Sequence, residues 1–501
     1  MKPRMLLLSV GLLFLSGCTT LGPDYEKPEV PVPGNWRVPE KTAEEISNIE
    51  WWKAFGDPVL DELVQEALAH NQDLRIAAAR LLEYAARVDL ARAGFYPQVG
   101  YGASASRLQA SRNAFNGVPD GRSRVGDDFL ASLNVGWELD FWGRIARSTE
   151  AARANLLAAE HGRRSVILSV VSAVATGYLS LRSLDRQLEI ARETLERRGE
   201  SVALFEEKFR GGVISELELA QVRSEYQAAA VLIPTIERQI AQAENALSLL
   251  IGRNPGDITR GKAVGELVLP RVPADIPSEV LQRRPDILQA EQNLVAANAL
   301  IGVARAEYFP RISLSGVLGL ASADLSRLLD GASGIWNLGG AAAGSIFTGG
   351  AVDARVRISE AVRQQALHAY IKTIQTAFVE VNDALIASHK SREILEAVRL
   401  QVEALRSYAR FARMRYEEGY VSYVEVLDAE RSLFDAELEY TRKEAEVHAA
   451  LVAIYKALGG GWLMGLEQDL NSLDFATEKE QPDGWKARLA PDKTQPVRKQ
   501  P

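Results

Sequence analysis

An internal repeat constrains the fold of this 501-residue chain more than any other feature of its sequence. Residues 91–97 (ARAGFYP) recur as residues 304–310 (ARAEYFP), where a helical pattern ends and a strand pattern begins. Residues 209–219 recur as residues 416–426, where two long helical patterns meet at a glycine-containing turn. A repeat of this length usually means a duplicated structural unit. Each copy is therefore predicted to have the order helix, strand, strand, long helix, turn, helix.

The repeat and the changes in composition divide the chain into five predicted segments. In order, these are a signal peptide at 1–17, an extended proline-rich arm at 18–56, a first repeat at 57–256 with strands at about 97–107 and 128–141, a second repeat at 279–461 with strands at about 310–320 and 335–347, and a polar tail at 462–501. The tail contains proline and few apolar residues, so we expect it to be partly disordered.

The N-terminus has the features of a bacterial export signal. Lys2 and Arg4 precede a short apolar run, and small residues lead to Cys18. The run is too short to span a bilayer. The pattern predicts a lipobox, with cleavage before Cys18 and lipid attached to that residue; a plain signal with an incidental cysteine is the alternative. Cys18 is the only cysteine, so an exported chain would contain no disulfide bond.

The strand patterns favour a membrane barrel. Between Phe129 and Phe141, apolar side chains alternate with small or polar ones, as in transmembrane β-strands. A soluble sandwich strand is the alternative for a single hairpin. Because a barrel must close to remove its edges, four strands per chain require several copies. Two copies would give about eight strands and a filled interior, and three would give about twelve and a lumen; the polar inner face and the long helices favour three.

Two uninterrupted helical patterns cover residues 143–210 and 351–418. A helix of about 68 residues would be about 100 Å long. Residues 395–416 carry apolar positions spaced by three and four, typical of a coiled coil. Residues 188–209 have the same spacing, and their apolar positions form the seam of a second coiled coil. Arg198 stands at one of these positions, so we expect the apolar packing either to be interrupted there or to be replaced by an ion pair.

Composition argues against several other classes of protein. The net charge of −8, with both signs mixed along the helices, gives no basic surface for nucleic acid. The five histidines are scattered without a metal-ligand motif, and no glycine-rich phosphate loop is present. We therefore expect no catalytic site, no metal site and no cofactor other than the covalent lipid at Cys18. A lipid-anchored periplasmic enzyme and a periplasmic adaptor with a single coiled-coil hairpin are the rival classes.

The lipobox, the two Ala-Arg-Ala to Pro junctions and residues 137–144 and 416–434 resemble the TolC/OprM outer membrane efflux proteins. They are most similar to the lipoprotein (NodT-type) branch that serves resistance-nodulation-division pumps, and the resemblance extends from Cys18 to Gly461. It implies a mixed α and transmembrane β fold. Three copies would form a twelve-stranded outer-membrane β-barrel continuous with a periplasmic α-helical tunnel.

The resemblance also implies a passive, non-enzymatic role. The protein would be the outer-membrane channel of a tripartite efflux system, working with a periplasmic adaptor (membrane fusion protein) and an inner-membrane pump. A lipid-anchored adaptor or structural coiled-coil protein, and a channel for type I secretion, remain alternatives. The sequence does not indicate which substrate is exported.

Family likeness places a periplasmic gate at Val424, Asp428 and Arg431, which share one helix face at i, i+4 and i+7. Three copies of Asp428 would form a carboxylate ring, and Arg431 would pair with it or with a neighbouring chain. The alternative is an ordinary surface pair worth less than about 1 kcal/mol. The residues that correspond to Asp428 and Arg431 in the first repeat are Gln221 and Ser224, so the charged gate is expected in the second repeat only.

The two glycine-containing turns would form the tip of the tunnel and contact the adaptor. By resemblance, the contacting residues are Gly211, Gly212, Ser215, Gly419 and Ser422. The alternative is that Gly212 and Gly419 only permit a tight turn between helices.

Overall fold

The structure, a computed structural model, describes residues 20–31, 36, 50–111, 123–270 and 277–460. The predicted signal peptide, Cys18 and the tail at 462–501 lie outside the described residues.

The described residues form the predicted succession of helices and paired strands in each copy. The helices are α1 (Pro58–His70), α2 (Gln72–Ala93), α3 (Arg144–Arg210), α4 (Glu216–Leu250), α5 (Pro277–Arg283), α6 (Pro285–Ala306), α7 (Ala351–Glu417) and α8 (Tyr423–Ala457). The strands are β1 (Gln98–Gln109), β2 (Val125–Leu139), β3 (Arg311–Ser322) and β4 (Gly334–Ala343). Helices α3 and α7 each contain 67 residues. By length and composition α3 could cross a membrane, but its apolar window is mostly buried, as in the core helix of a soluble protein.

The four strands form one antiparallel sheet in the order β1-β2-β3-β4. The pairing of β2 with β3 joins the two repeats, because Leu139 lies opposite Ile312 and Phe129 lies opposite Ser322. Strand β4 ends at Ala343, before the predicted end at residue 347. Its last rung pairs Ala343 with Arg311 of β3. The residue before Arg311 is Pro310, which has no N–H group with which to extend the ladder.

The chain separates into two compact units. The first comprises the described parts of residues 1–34, 79–166 and 277–380, and it contains the sheet. Alanines on α3 and α6 form a small buried cluster in this unit (Ala151, Ala154, Ala296 and Ala299). Small side chains allow these two helices to approach closely.

The second unit comprises the described parts of residues 35–78, 167–276 and 381–501. The predicted coiled-coil seam on α7 is buried or half-buried along residues 395–416. On α3, Arg198 is buried, lies 3.2 Å from a Glu225 carboxylate oxygen and stacks its guanidinium over the Phe434 ring at 5.2 Å. The seam is therefore paired at Arg198 rather than opened.

The predicted extended arm at 18–56 does not remain extended to its end. Residues Trp51–Phe55 form a short 3₁₀ helix rather than an extended segment. Trp51 and Trp52 are both buried, and the Trp51 ring stacks on Tyr455 with centroids 5.3 Å apart. The burial of both indole rings, with Trp51 stacked on Tyr455 of α8, explains why the chain turns here instead of continuing as an arm.

Asp57 begins α1 and also binds the segment that follows α4. Its Oδ1 accepts a hydrogen bond from the Val59 N–H, which caps the helix. Its Oδ2 accepts from the Tyr178 hydroxyl at 2.7 Å and from the Lys262 N–H at 3.1 Å. Pro58 follows as the first residue of α1, and the Asp57 carboxylate connects three separate parts of the second unit.

Candidate functional site

The structure places Val424, Asp428 and Arg431 on one exposed face of α8. Val424 is 49% exposed, and the Asp428 and Arg431 side chains are 52% and 55% exposed. Arg431 Nη2 donates a hydrogen bond of 2.8 Å to Asp428 Oδ1. The opposite face of the same helix turn is buried through Tyr423 and Val426. The helix therefore has a fixed orientation that presents all three side chains on its free surface.

An apolar cluster packs the start of α8 against the first helical hairpin, which is formed by α3 and α4. Its buried members are Phe205, Leu219, Val222, Ala412, Tyr423, Val426 and Ala429. The rings of Phe205 and Tyr423 have centroids 4.2 Å apart. Lys208 Nζ donates to the Tyr416 hydroxyl at 3.3 Å and lies 5.3 Å from the centre of the Phe205 ring. The cluster thus connects the end of α3 with both helices of the second hairpin.

Ion pairs also connect the two helices of each hairpin. In the second hairpin these pairs are Arg413–Glu430, Arg406–Glu437 and Arg415–Glu425, and in the first they are Arg223–Glu206 and Arg192–Glu237. At least one partner of each pair is substantially exposed, so each contributes about 1 kcal/mol or less. The spacing of the seam positions does not predict these pairs, because each pair joins residues of two different helices.

The two tip turns share their backbone geometry. Gly212 and Gly419 have φ values of +70° and +78°, in the left-handed region that favours glycine. A Cβ added at either residue would meet nothing within 4 Å, so the requirement for glycine at these turns is conformational rather than steric. Gly211 is not among the residues with positive φ.

The serines that follow these turns differ. Ser215 caps α4 in a capping box, because its hydroxyl accepts from the Glu218 N–H and the Glu218 carboxylate accepts from the Ser215 N–H. These bonds lower the pKa of Glu218. Ser422 occupies the same position before α8 but makes no side-chain capping bond. The start of α4 is therefore capped by a side chain, and the start of α8 is not, although the two turns make matching backbone hydrogen bonds.

The described residues hold no group of three or more His, Cys, Asp and Glu side chains that could bind a metal ion. His448 is buried on α8 beside Phe55, and burial lowers its pKa to about 4. Burial also lowers the pKa of His161, while His389 pairs with Glu393 on an exposed helix face.

The sequence did not predict one site, in which residues of α3 and α6 bind the N-terminal arm. This site is called the seat of the arm. Arg147 is buried; its Nη2 donates to Asp24 Oδ1 at 2.7 Å and its Nε donates to the Leu21 carbonyl at 3.1 Å. Asn298 Nδ2 donates to the Pro23 carbonyl at 2.8 Å. The arm passes so close to α6 that a Cβ at Gly302 would lie 2.4 Å from the Leu21 carbonyl oxygen. A glycine inside an otherwise good helix was the only sequence signal of this contact.

The arm residues held by this seat lie close in sequence to Cys18. Described residues begin at Thr20, and a Cβ at Gly143 would lie 2.7 Å from the Thr20 Cα. The Leu21 N–H donates to the Trp142 carbonyl, three residues after the end of β2. The start of the arm is therefore held where the sheet meets α3.

Comparison with known proteins gives a match to the outer membrane efflux protein family over residues 63–253 and 276–460, one segment for each repeat. The chain belongs to this family. It is an outer-membrane efflux channel protein, and the interpretation as a single-hairpin adaptor is wrong because both matched segments carry a hairpin and a strand pair.

Similar proteins support this identification along almost the whole channel chain. The cation efflux system protein CusC of Escherichia coli is 37% identical over 473 residues, covering 92% of this chain and all of CusC. The probable outer membrane lipoprotein SilC of Salmonella typhimurium is 35% identical over 473 residues, covering 92% of this chain and 99% of SilC. The crystal structure of the Campylobacter jejuni CmeC outer membrane channel superposes with a TM-score of 0.85 at 27% identity, covering 91% of this chain and 98% of CmeC. The fold is that of these outer-membrane channels.

Proposed function

We propose that the protein is a homotrimer that conducts substrates passively from an inner-membrane pump of the resistance-nodulation-division class, through a periplasmic adaptor, to the cell exterior. The observation that carries this proposal is the combination of a four-stranded sheet with two unpaired edges and two long helical hairpins in one duplicated chain. Unpaired strand edges are not stable in a bilayer, and three copies supply the twelve strands that would leave a lumen. No ATP, metal or other cofactor is needed for this role.

We propose that Cys18 carries the lipid anchor. The lipobox supports this assignment, as does the description of the relative SilC as a probable outer membrane lipoprotein. Mass spectrometry of the N-terminal peptide of the purified protein tests it. The expected result is a mature chain that begins at acylated Cys18, and an unmodified Cys18 would contradict it.

The proposed gate consists of Val424, Asp428 and Arg431. Around a threefold axis, these side chains would form an apolar ring and a ring of alternating charges. Since Asp428 and Arg431 already pair within one chain and are half exposed, the pair alone contributes little to stability. Its proposed effect is on conductance, through the electrostatic and steric restriction of a narrow pore.

The two tip turns are the proposed adaptor contacts. Val213 and Tyr420 lie directly after the turn glycines and are 74% and 76% exposed. Exposed apolar side chains at the end of a hairpin are suited to docking with another helical hairpin. Arg210 and Gly211 precede Gly212 in the first turn, whereas Glu417 and Glu418 precede Gly419 in the second, so the residues beside the two turns differ in charge.

Site-specific photo-crosslinking in cells tests the adaptor contact. A photoreactive amino acid at Val213 or Tyr420 should form an adduct that contains a periplasmic adaptor, while the same residue at exposed Leu90 on α2 should not. Absence of adducts at both turns in a strain that still exports its substrates would contradict tip docking. The identity of the captured protein also separates an efflux adaptor from the adaptor of a type I secretion system.

Growth of a deletion strain on a panel of antibiotics, dyes, solvents and metal salts identifies the substrate class. Complementation by the full chain should restore resistance to one class of compound. If the deletion strain grows like its parent on every compound, the efflux role is not supported.

A further inference from the structure

The sheet of the first unit has one free edge on β1 and another on β4. The internal repeat suggests how β4 of one copy would pair with β1 of the next. Within the chain, β2 ends the first repeat and pairs with β3, which begins the second. In a closed ring of identical copies, β4 ends the second repeat and would meet β1 of the next copy. Both junctions therefore join the last strand of one repeat to the first strand of another.

The two β-hairpins, β1–β2 and β3–β4, correspond rung by rung. Gln98 pairs with Gly136 in the first rung of the first hairpin, and Arg311 pairs with Ala343 in the first rung of the second. Seven residues later in each copy, a glycine with positive φ precedes the long helix: Gly143 at +71° and Gly350 at +82°. The same correspondence holds at the tip, where Gly212 matches Gly419. No insertion or deletion disturbs the match between β2 and β4.

We propose that the seam between copies repeats the β2·β3 register, so that Ala342 of one copy lies opposite Ala103 of the next. This inference rests on the proposed trimer and adds its strand register. The template rung is Val135 opposite Gly316, whose repeat counterparts are Ala342 and Ala103. The neighbouring rungs follow in the same way: Ile346 opposite Val99, Gly344 opposite Tyr101, Ala341 opposite Ser104 and Gly340 opposite Ala105.

This register places the apolar faces of the two strands on the same side of the sheet. Along β1 the outer face carries Val99, Tyr101 and Ala103, and along β4 it carries Trp336 and Leu338. A shift by one residue would turn one of these strands over and place apolar side chains in the lumen. A shift by two would preserve the faces, so the repeat template is needed to choose between registers.

Side-chain size is complementary across the proposed seam. Inside the chain, the large Trp137 lies opposite Leu314. At the corresponding rung between copies, Gly344 would lie opposite Tyr101, the most exposed large apolar side chain of β1 at 90%. The adjacent residues of β4 are glycine and alanine. An aromatic ring over a cross-strand glycine is a known means of covering bare backbone, so Tyr101 would fill the space that the small β4 residues leave.

The segment after β4 completes the match. Ile346 and Phe347 are almost fully exposed within one chain. At the junction inside the chain, Trp142 stacks on Phe309 with ring centroids 4.6 Å apart, and its Nε1 donates to the Pro310 carbonyl. By the repeat, the counterpart of Trp142 is Gly349, which has no ring. Phe347 lies two residues before Gly349 and, in the proposed register, close to Tyr96 and Pro97 of the next copy, so it would supply the aromatic side chain at the base of the seam.

Paired cysteines measure this register in the full-length protein. The matched pairs are Ala103→Cys with Ala342→Cys, and Ser104→Cys with Ala341→Cys; adjacent rungs are used because hydrogen-bonded and non-hydrogen-bonded rungs alternate and differ in Cβ separation. The shifted control pairs are Ala105→Cys with Ala342→Cys and Gly102→Cys with Ala341→Cys, which report registers displaced by two residues in either direction. Diagonal neighbours are about 7–8 Å apart, too far for a disulfide.

After oxidation of outer-membrane extracts, at least one matched pair should give covalent dimers and trimers in heated, non-reducing gels, at least tenfold more than either shifted pair. The oxidised parent, whose only cysteine is Cys18, and the single-cysteine variants should give none. A shifted pair that links as well as the matched pairs, or no links in a protein that migrates as a trimer before heating, would overturn the register while leaving the trimer intact. A protein that is not trimeric before oxidation would overturn the proposed assembly, and the seam with it.

Discussion

The Tyr178 hydroxyl donates a hydrogen bond of 2.7 Å to Asp57 Oδ2, and both residues are buried. The same hydroxyl accepts from the Gly261 N–H at 2.9 Å. A Cβ at Gly261 would lie 2.1 Å from Asp57 Oδ1. Only glycine therefore fits at position 261, beside the carboxylate. This network connects the start of α1, the middle of α3 and the segment after α4, all within the second unit.

Tyr178→Phe should destabilise the channel. The substitution keeps the ring but leaves the Gly261 N–H without its acceptor and removes one donor from Asp57, which costs about 1–3 kcal/mol. Thermal unfolding of the detergent-solubilised protein, followed by circular dichroism, should show a lower midpoint. Tyr420→Phe, at an exposed tip residue, is the matched control, and equal midpoints for the two variants would show that the network contributes nothing.

His448 should make stability depend on pH below neutrality. Its pKa in the folded protein is about 4, lower than the usual value of about 6.5. The unfolded chain therefore binds a proton more readily, so the contribution is complete above about pH 6.5 and is lost as pH falls towards 4. The loss is about 3 kcal/mol at most.

His448→Gln should flatten the dependence of the unfolding midpoint on pH between about pH 4 and 6.5. His389→Gln changes an exposed histidine and should leave the slope of the parent unchanged. A His448→Gln profile that parallels the parent over this range would show that burial of His448 does not govern acid stability.

Gly302→Ala should loosen the N-terminal arm. In most helices this change is favourable, but here the added Cβ would meet the Leu21 carbonyl oxygen at 2.4 Å. Endoproteinase Glu-C should cut the arm after Glu26 and Glu29 faster than in the parent. The control is Gly199→Ala, where the added Cβ makes an ordinary contact of 3.5 Å with Tyr226; similar cleavage rates in both variants would argue against the seat.

Local sequence patterns predicted the elements, because their causes are local. Alternation from Phe129 to Leu139 predicted β2, and spacing by three and four predicted the seam on α7. The early end of β4 was not predictable from β4 itself, since it depends on Pro310, which directly precedes the paired strand β3. Whether a strand continues is decided by its partner as well as by its own residues.

Long-range contacts were the least predictable part of the candidate site. Asp57 could be recognised as a helix cap from its position before Pro58, but its bonds to Tyr178 and Lys262 join residues far apart in sequence. The same holds for Arg147 and the arm. The face shared by Val424, Asp428 and Arg431 was predictable because three residues on one helix require only helical periodicity.

Single-channel conductance in planar bilayers tests the proposed gate. We expect the double variant Asp428→Ala, Arg431→Ala to conduct more current than the parent, through more frequent opening or a larger conductance. The double variant Gln221→Ala, Ser224→Ala, at the corresponding positions of the first repeat, should behave like the parent. A double variant at Asp428 and Arg431 that conducts no more than the parent would contradict a gate at this face of α8.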